Sequence, residues 1–250
     1  MGFLHQTLFP GSRVSLLAVD ERMKPGMKYK LQQLGIQLVE VPCSESLQPS
    51  VSGHPDMQLL HIARDLLICQ PQLNAKLFEQ LRHFGFTIIP GKTMLKATYP
   101  LDIAYNVAIV GKLAFHNLRY TDSVASEFLK RCSIRLVHVN QGYAKCATLP
   151  VTPESLITSD PSIARAARSN GLDVLTLAPQ TRICLPGLSY GFIGGAAGFI
   201  EREMIAFTGN LDTLEGAEDV KAFLAKHGMK WICLDENEIV DYGGLLPLYE

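Results

Sequence analysis

The stretch VSGHPDMQLL, Val51 to Leu60, sets an imidazole (His54), a carboxylate (Asp56) and an amide directly before an apolar run. Proline fixes its own φ and biases the preceding residue away from helix, so the string read alone is a turn. An imidazole and a carboxylate are also acid/base and cation-binding groups, and a second string offers them a nucleophile. QGYAKC ends on Cys146, beside Lys145, a cation able to lower a thiol pKa. Cysteine at a strand start also serves as a small buried hydrophobe, and a regular strand turns Lys145 and Cys146 to opposite faces. Further polar candidates are Asn106, Asp102, His116 with Asn117, Asp241 in DYGG, and the pair Asp20 and Arg22. Each keeps a structural alternative: core amide, turn residue, helix cap or surface ion pair.

These groups are scattered along the chain, so the elements that bring them together must be found. The 250 residues are 47% hydrophobic, enough to bury a substantial core, and length alone suggests one large domain or two small ones; a repeat along the chain makes it one, spanning 1–250. Basic and acidic residues number 23 and 24, with no Lys/Arg-rich run, which argues against a nucleic-acid partner. The six cysteines show no Cys-x-x-Cys pair, which argues against a zinc site or a disulfide framework and for reduced thiols in a cytoplasm. No charged leader precedes a long apolar core, and no run reaches the ~18 apolar residues of a membrane span. A soluble cytoplasmic protein without metal or organic cofactor is expected. Its oligomeric state cannot be read from these features.

A pattern then recurs five times: LQQLGIQLVEVP, LRHFGFTIIPG, LKRCSIRLVHVN, ARSNGLDVLTLAP and LAKHGMKWICLDE. Each is a helix end, a small residue and an apolar alternation. Gly35, Gly85, Gly171 and Gly228 suit the position that closes a helix, Ser133 being the departure, and a strand follows. Upstream of each helix is a short strand, as in SLLAVD, DLLICQ and MIAFTG, and Asp160 before Pro161 is a good helix cap. Four of these strands are preceded by another: MQLLHI, YNVAIV, CATLPV and GAAGFI. The first unit lacks one, and GLLPLYE at the chain end is spare. The expected fold is a five-bladed ββαβ α/β propeller with pseudo-fivefold symmetry, closed by the C-terminal strand in the first blade. An open doubly wound sheet would need a Gly-rich first turn opening a helix, and GFIGGAAGF is followed by a strand pattern instead.

Five such units, with HPDMQ, YPLDIAYNVAIVG, AFHNLRYTD, NQGYAKC, SYGFIGG and AFTG, resemble the pentein fold of guanidino-group-modifying enzymes. That superfamily includes arginine and agmatine deiminases, dimethylarginine dimethylaminohydrolase and amidinotransferases. The chain is most similar to an uncharacterised bacterial family of that fold. The fold also has a non-catalytic member, translation initiation factor six, so architecture alone does not decide activity.

The resemblance implies that chemistry sits on the segments opening each blade: SGHPDMQ, LDIAYN, QGYAKC, YGFIGG and VDYGG. His54 and Asp56 match the His-x-Asp of the enzymes, where histidine is acid/base and the carboxylate orients a guanidinium. Asp241 in Asp-x-Gly-Gly matches a second substrate carboxylate. The enzymes carry their cysteine near the chain end, and here GGLLPLYE has no thiol. Cys146 lies two blade starts after His54, which preserves the order acid, histidine, cysteine if the register is rotated. The resulting expectation is a cysteine-nucleophile hydrolase or amidinotransferase-like enzyme acting on a small guanidino or ureido compound. Cys146 and His54 are its catalytic pair; Asp56, Asn106, Asp241, Lys145 and His116 are its substrate contacts. Gly194, Gly195, Gly243 and Gly244 give close backbone approach. The alternative is a catalytically silent propeller binding a small cationic metabolite or a protein partner.

Overall fold

A computed structural model describes residues 2–250. The first unit contributes β1 (Leu16–Asp20), α1 (Pro25–Gln33) and β2 (Gln37–Val41). A four-residue helical turn, α2 (Pro55–Gln58), leads into β3 (Leu59–Ala63), β4 (Leu66–Cys69), α3 (Ala75–His83) and β5 (Thr87–Pro90). The third unit is β6 (Ala108–Val110), β7 (Leu113–His116), α4 (Ser123–Arg131) and β8 (Arg135–His138). The fourth is β9 (Thr148–Thr152), β10 (Ser155–Thr158), α5 (Pro161–Ser169) and β11 (Asp173–Thr176). The fifth is β12 (Ala197–Glu201), β13 (Met204–Phe207), α6 (Ala217–Lys226) and β14 (Lys230–Cys233), and β15 (Leu246–Tyr249) follows.

The strands form five three-stranded sheets of one design. A central strand pairs antiparallel with its hairpin partner and parallel with the strand reached through the helix. In the first sheet the antiparallel place is taken by β15, with Leu17 opposite Pro247 and Ala18 opposite Leu246.

Local chemistry explains the units. Asn74, Asp122 and Asp160 cap α3, α4 and α5 by accepting from two backbone amides each. Beyond the helices, Gly35, Gly85, Gly171 and Gly228 take φ of +80°, +87°, +84° and +72°, and Ser133 takes +58° without glycine's freedom. Apolar alternation then divides each central strand between two cores. Leu16 and Ala18 face a cluster with Leu59, Leu67 and Leu246, whereas Leu17 and Val19 face one with Ile200, Ala206 and Leu245. Five such clusters each join two consecutive units, the last joining the fifth unit to the first.

All four expected leading strands start two or three residues late, at Leu59, Ala108, Thr148 and Ala197. MQLLHI is extended only from Leu59, because Pro55 suits the first position of a helical turn and Pro55–Gln58 adopt one. YNVAIV becomes strand only at Ala108, leaving Asn106 in the turn ahead of it. Among the described residues no helix is long and apolar enough to cross a membrane.

Candidate active site

The polar groups singled out by sequence lie mainly on the segments that enter the antiparallel strands. His54 is the extended residue before α2, and Asp56 lies in that turn. Cys146 ends the turns before β9, and Asp241 precedes β15. The Cys146 Sγ donates to Asp56 Oδ2 at 2.9 Å and accepts from Asn106 Nδ2 at 3.2 Å. Donor atoms of His54, Asp56 and Cys146 all lie within 4.8 Å of one another, and all three residues are buried. Both ring nitrogens of His54 and Oδ1 of Asp56 lack a hydrogen-bond partner. A buried polar atom without a partner costs about 1–3 kcal/mol, and three such atoms gather at this cluster.

Asp241 stands on the other side of His54, with Oδ1 3.9 Å from Nδ1. Its carboxylate accepts from Gly243 N at 2.9 Å and Phe192 N at 2.8 Å. Glycine is required at two neighbours: a Cβ on Gly195 would overlap the Asp241 carboxylate, and Gly243, at φ +72°, would overlap His54. His54, Cys146 and Asp241 form the floor of a cavity of about 400 Å³. Val51, Tyr99, Tyr143, Leu185, Leu188 and Phe192 contribute its walls, with Tyr190 at the mouth.

Electrostatics follow from burial. The Asp241 carboxyl is pushed up to about 7, chiefly by loss of water and further by the charge of Asp56. Burial, with Arg22 and Lys145 adding, holds the His54 imidazole neutral and lowers it to about 3. The Cys146 thiol is raised well above its ordinary value, first by burial and then by Asp56 and Asp241. Lys145 pulls the thiol down, as expected of a neighbouring cation, but burial and the two carboxylates outweigh it.

Of the expected substrate contacts only Asp241 lines the cavity; Asp56, which holds the Cys146 thiol, and three others do not. Lys145 does not line the cavity: its Nζ donates to Gly194 O at 2.9 Å and Gly243 O at 3.2 Å and pairs with Asp56 Oδ2 at 3.4 Å. Lys145 and Cys146 both lie in the turns ahead of β9 rather than in a strand, and these hydrogen bonds hold Lys145 away from the cavity that Cys146 lines. Asn106 is a brace, its Oδ1 accepting from the amides of Lys145 at 2.9 Å and Cys146 at 3.2 Å. His116 is occupied on both nitrogens, by Thr121 Oγ1 at 2.7 Å and Gly142 O at 3.1 Å, and lies outside the cavity. Asp20, expected at the surface, is fully buried and held by Arg22 through Nε at 2.9 Å and Nη2 at 2.6 Å. Of the six cysteines, Cys43 is exposed.

A family model matches residues 18–246. The chain belongs to DUF6873, a family of unknown function. Comparison of the sequence with curated proteins finds no match. Among solved structures, this DUF6873 chain is similar to the inosamine-phosphate amidinotransferase of Streptomyces griseus, with a TM-score of 0.60 at 11% identity. That match covers 94% of this chain and 91% of the other. An amidinotransferase of saxitoxin biosynthesis from Microseira wollei gives 0.53 at 12% identity, covering 92% and 91%. DDAH from Pseudomonas aeruginosa gives 0.54 at 10% identity, covering 89% and 92%. The DUF6873 chain therefore has the pentein fold, as the motifs implied.

Two further properties of the DUF6873 site follow from its contacts. His54, Asp56 and Cys146 offer nitrogen, oxygen and sulfur donors close enough to share one zinc-like ion. Lys145→Met should remove the only side-chain cation paired with Asp56 among the described residues and destabilise the protein by about 3–5 kcal/mol. Urea unfolding measures this, and an unchanged midpoint would show that Asp56 carries no charge at rest.

Proposed function

We propose that the chain is a guanidino-group-modifying enzyme in which Cys146 is the nucleophile and His54 its acid/base partner. The observation carrying this is the buried cluster of His54, Asp56 and Cys146, its ring nitrogens unpartnered, with His54 and Cys146 on the floor of a cavity and Asp56 behind them. The fold shared with amidinotransferases and DDAH supports the same chemistry. A guanidinium entering the cavity meets Asp241, and its positive charge next to Sγ favours the thiolate. The thiol proton passes to His54, sulfur bonds to the guanidinium carbon, and His54 returns the proton to the departing amine. The neutral imidazole then takes a proton from water as it attacks the carbon, and thiolate leaves. Transfer to an amine in place of water would give an amidinotransferase.

The closed ring belongs to the same proposal. Five like sheets, the pairing of β15 with β1 and the core shared by the fifth and first units support a single propeller domain spanning 1–250. Six unpaired cysteines support a reducing, cytoplasmic setting. One observation favours the silent alternative: the thiol rests protonated on Asp56, so the same floor would suit a binding protein for a small cation.

The test is product release, as ammonia, amine or urea, from a panel of guanidino compounds, with mass spectrometry of the Cys146 peptide during turnover. A covalent adduct on Cys146 is expected. No product together with an unmodified thiol would leave only the binding role.

Titration gives an independent check. Asp241 pairs with a cation only when ionised, and its carboxyl lies near 7. Guanidinium affinity should therefore rise with pH through about 7 and level off above it. Asp241→Asn should flatten that profile in calorimetric titrations; a profile unchanged by the substitution would assign the slope to another group. In the absence of ligand the sign is opposite for stability. A carboxyl higher in the folded than in the unfolded state withdraws stability as pH climbs from about 4 to about 7.

A further inference from the structure

The upper part of the cavity carries information that the catalytic floor does not. Four aromatic rings line it in one continuous series, Tyr99, Tyr143, Phe192 and Tyr190, with Tyr143 and Phe192 centroids 6.4 Å apart. Tyr99 and Tyr143 have centroids 5.6 Å apart, and Tyr190 meets Phe192 edge-on at 5.7 Å. Tyr143 is fixed from behind, its hydroxyl donating to Asp102 at 2.5 Å. Leu185, Leu188 and Val51 complete an apolar wall, and the polar lining away from the floor is limited to Gln141, Ser189 and the tyrosine hydroxyls. Tyr99, Leu188 and Tyr190 are 50%, 45% and 50% exposed, although each has a large apolar surface. Their gathering at one mouth is what a recognition surface requires and a structural core does not.

Equally decisive is the charge that is missing. Among the described residues no lysine or arginine lines the cavity. The two cations nearest its floor are committed elsewhere: Arg22 to Asp20 and the carbonyls of Pro49 and Ser50, Lys145 to Asp56 and two backbone carbonyls. A ligand carboxylate in this space would lose water, find no counter-ion and share the cavity with Asp241. A flat or aliphatic uncharged group would instead stack on the rings.

Building on the guanidino reading above, we propose that the ligand is a guanidinium carried on an uncharged, apolar tail, with Tyr99, Tyr143, Tyr190 and Phe192 as the tail subsite. Free amino acids of the arginine type are excluded by the lack of a cation for their carboxylate. The volume, about 400 Å³, suits a head group with one ring or a short alkyl chain.

The test is isothermal titration at pH 8 of the purified chain with four probes: guanidinium, 2-phenylethylguanidine, arginine and 2-phenylethylurea. Burial of the phenyl tail should make 2-phenylethylguanidine bind about 10–100-fold more tightly than guanidinium. Arginine should bind no better than guanidinium. Tyr190→Ala, at a half-exposed position that folding does not need, should cut the advantage of the phenyl tail to under about threefold, and Tyr99→Ala should do the same. Arginine binding as tightly as 2-phenylethylguanidine would overturn the tail subsite while leaving the guanidino reading intact. Equal affinity for 2-phenylethylurea and 2-phenylethylguanidine would instead overturn the guanidino head. Binding of none of the four would overturn both.

Discussion

Deletion of Leu245–Glu250 should abolish cooperative folding. This hexapeptide contains β15, whose pairing with β1 supplies the antiparallel partner of the first sheet. Leu245, Leu246 and Leu248 are 1%, 4% and 0% exposed and sit in two separate apolar clusters. At about 2–3 kcal/mol for each buried leucine the loss is about 6–9 kcal/mol before any ladder hydrogen bond is counted. That matches the whole stability of a typical domain, about 5–15 kcal/mol. Thermal melting followed by circular dichroism is the measurement. A truncated chain melting at the temperature of the full one would refute the role given to β15.

Cys146→Ser should lower turnover of any guanidino compound the protein consumes by about 10³-fold or more, while leaving ligand binding within a fewfold. A serine hydroxyl keeps the hydrogen bonds to Asp56 and Asn106, so the floor survives, and the nucleophile does not. Wild-type rates from this variant would remove Cys146 from the chemistry. Alkylation adds a second view of the same thiol. In the free protein Cys146 is buried and its thiol is raised, whereas Cys43 is exposed. Iodoacetamide at pH 7.5 should therefore mark Cys43 first.

Much of the architecture is legible in the residues themselves, because helix caps and helix-closing glycines are local signals. Asp160 before Pro161 announces a helix, and the apolar alternation after Gly35, Gly85, Gly171 and Gly228 announces strands. The repeat also shows which segments enter the antiparallel strands, and His54, Cys146 and Asp241 indeed share one floor. What escaped is set by direction and solvation. Lys145 and Cys146 are adjacent, and only three-dimensional packing tells which one faces the cavity. The state of the thiol depends on Asp56 and Asp241, far away in sequence, and on loss of water. His116 looked like a substrate contact by type, yet Thr121 and Gly142 occupy it. Asp20 looked like a surface acid because nothing in its neighbours reveals that Gly53 packs over it. The aromatic walls were missed for a different reason. Tyr99, Tyr143, Tyr190 and Phe192 come from three separate loops, and their only sequence signal is that aromatic residues recur in YPLDIAYN, QGYAKC and SYGF, close to the polar strings.

The pairing of Ala18 with Leu246 also has a consequence for biosynthesis. During translation the first sheet holds only β1 and β2 until Leu246–Tyr249 clear the ribosome, whereas each later sheet takes its three strands from one continuous segment. The nascent chain thus carries an unpaired edge on β1 while the four later units are made, a template for aggregation in the meantime. Ribosome-stalled chains ending before β15 should engage holdase chaperones through this edge, and emergence of β15 should end the dependence.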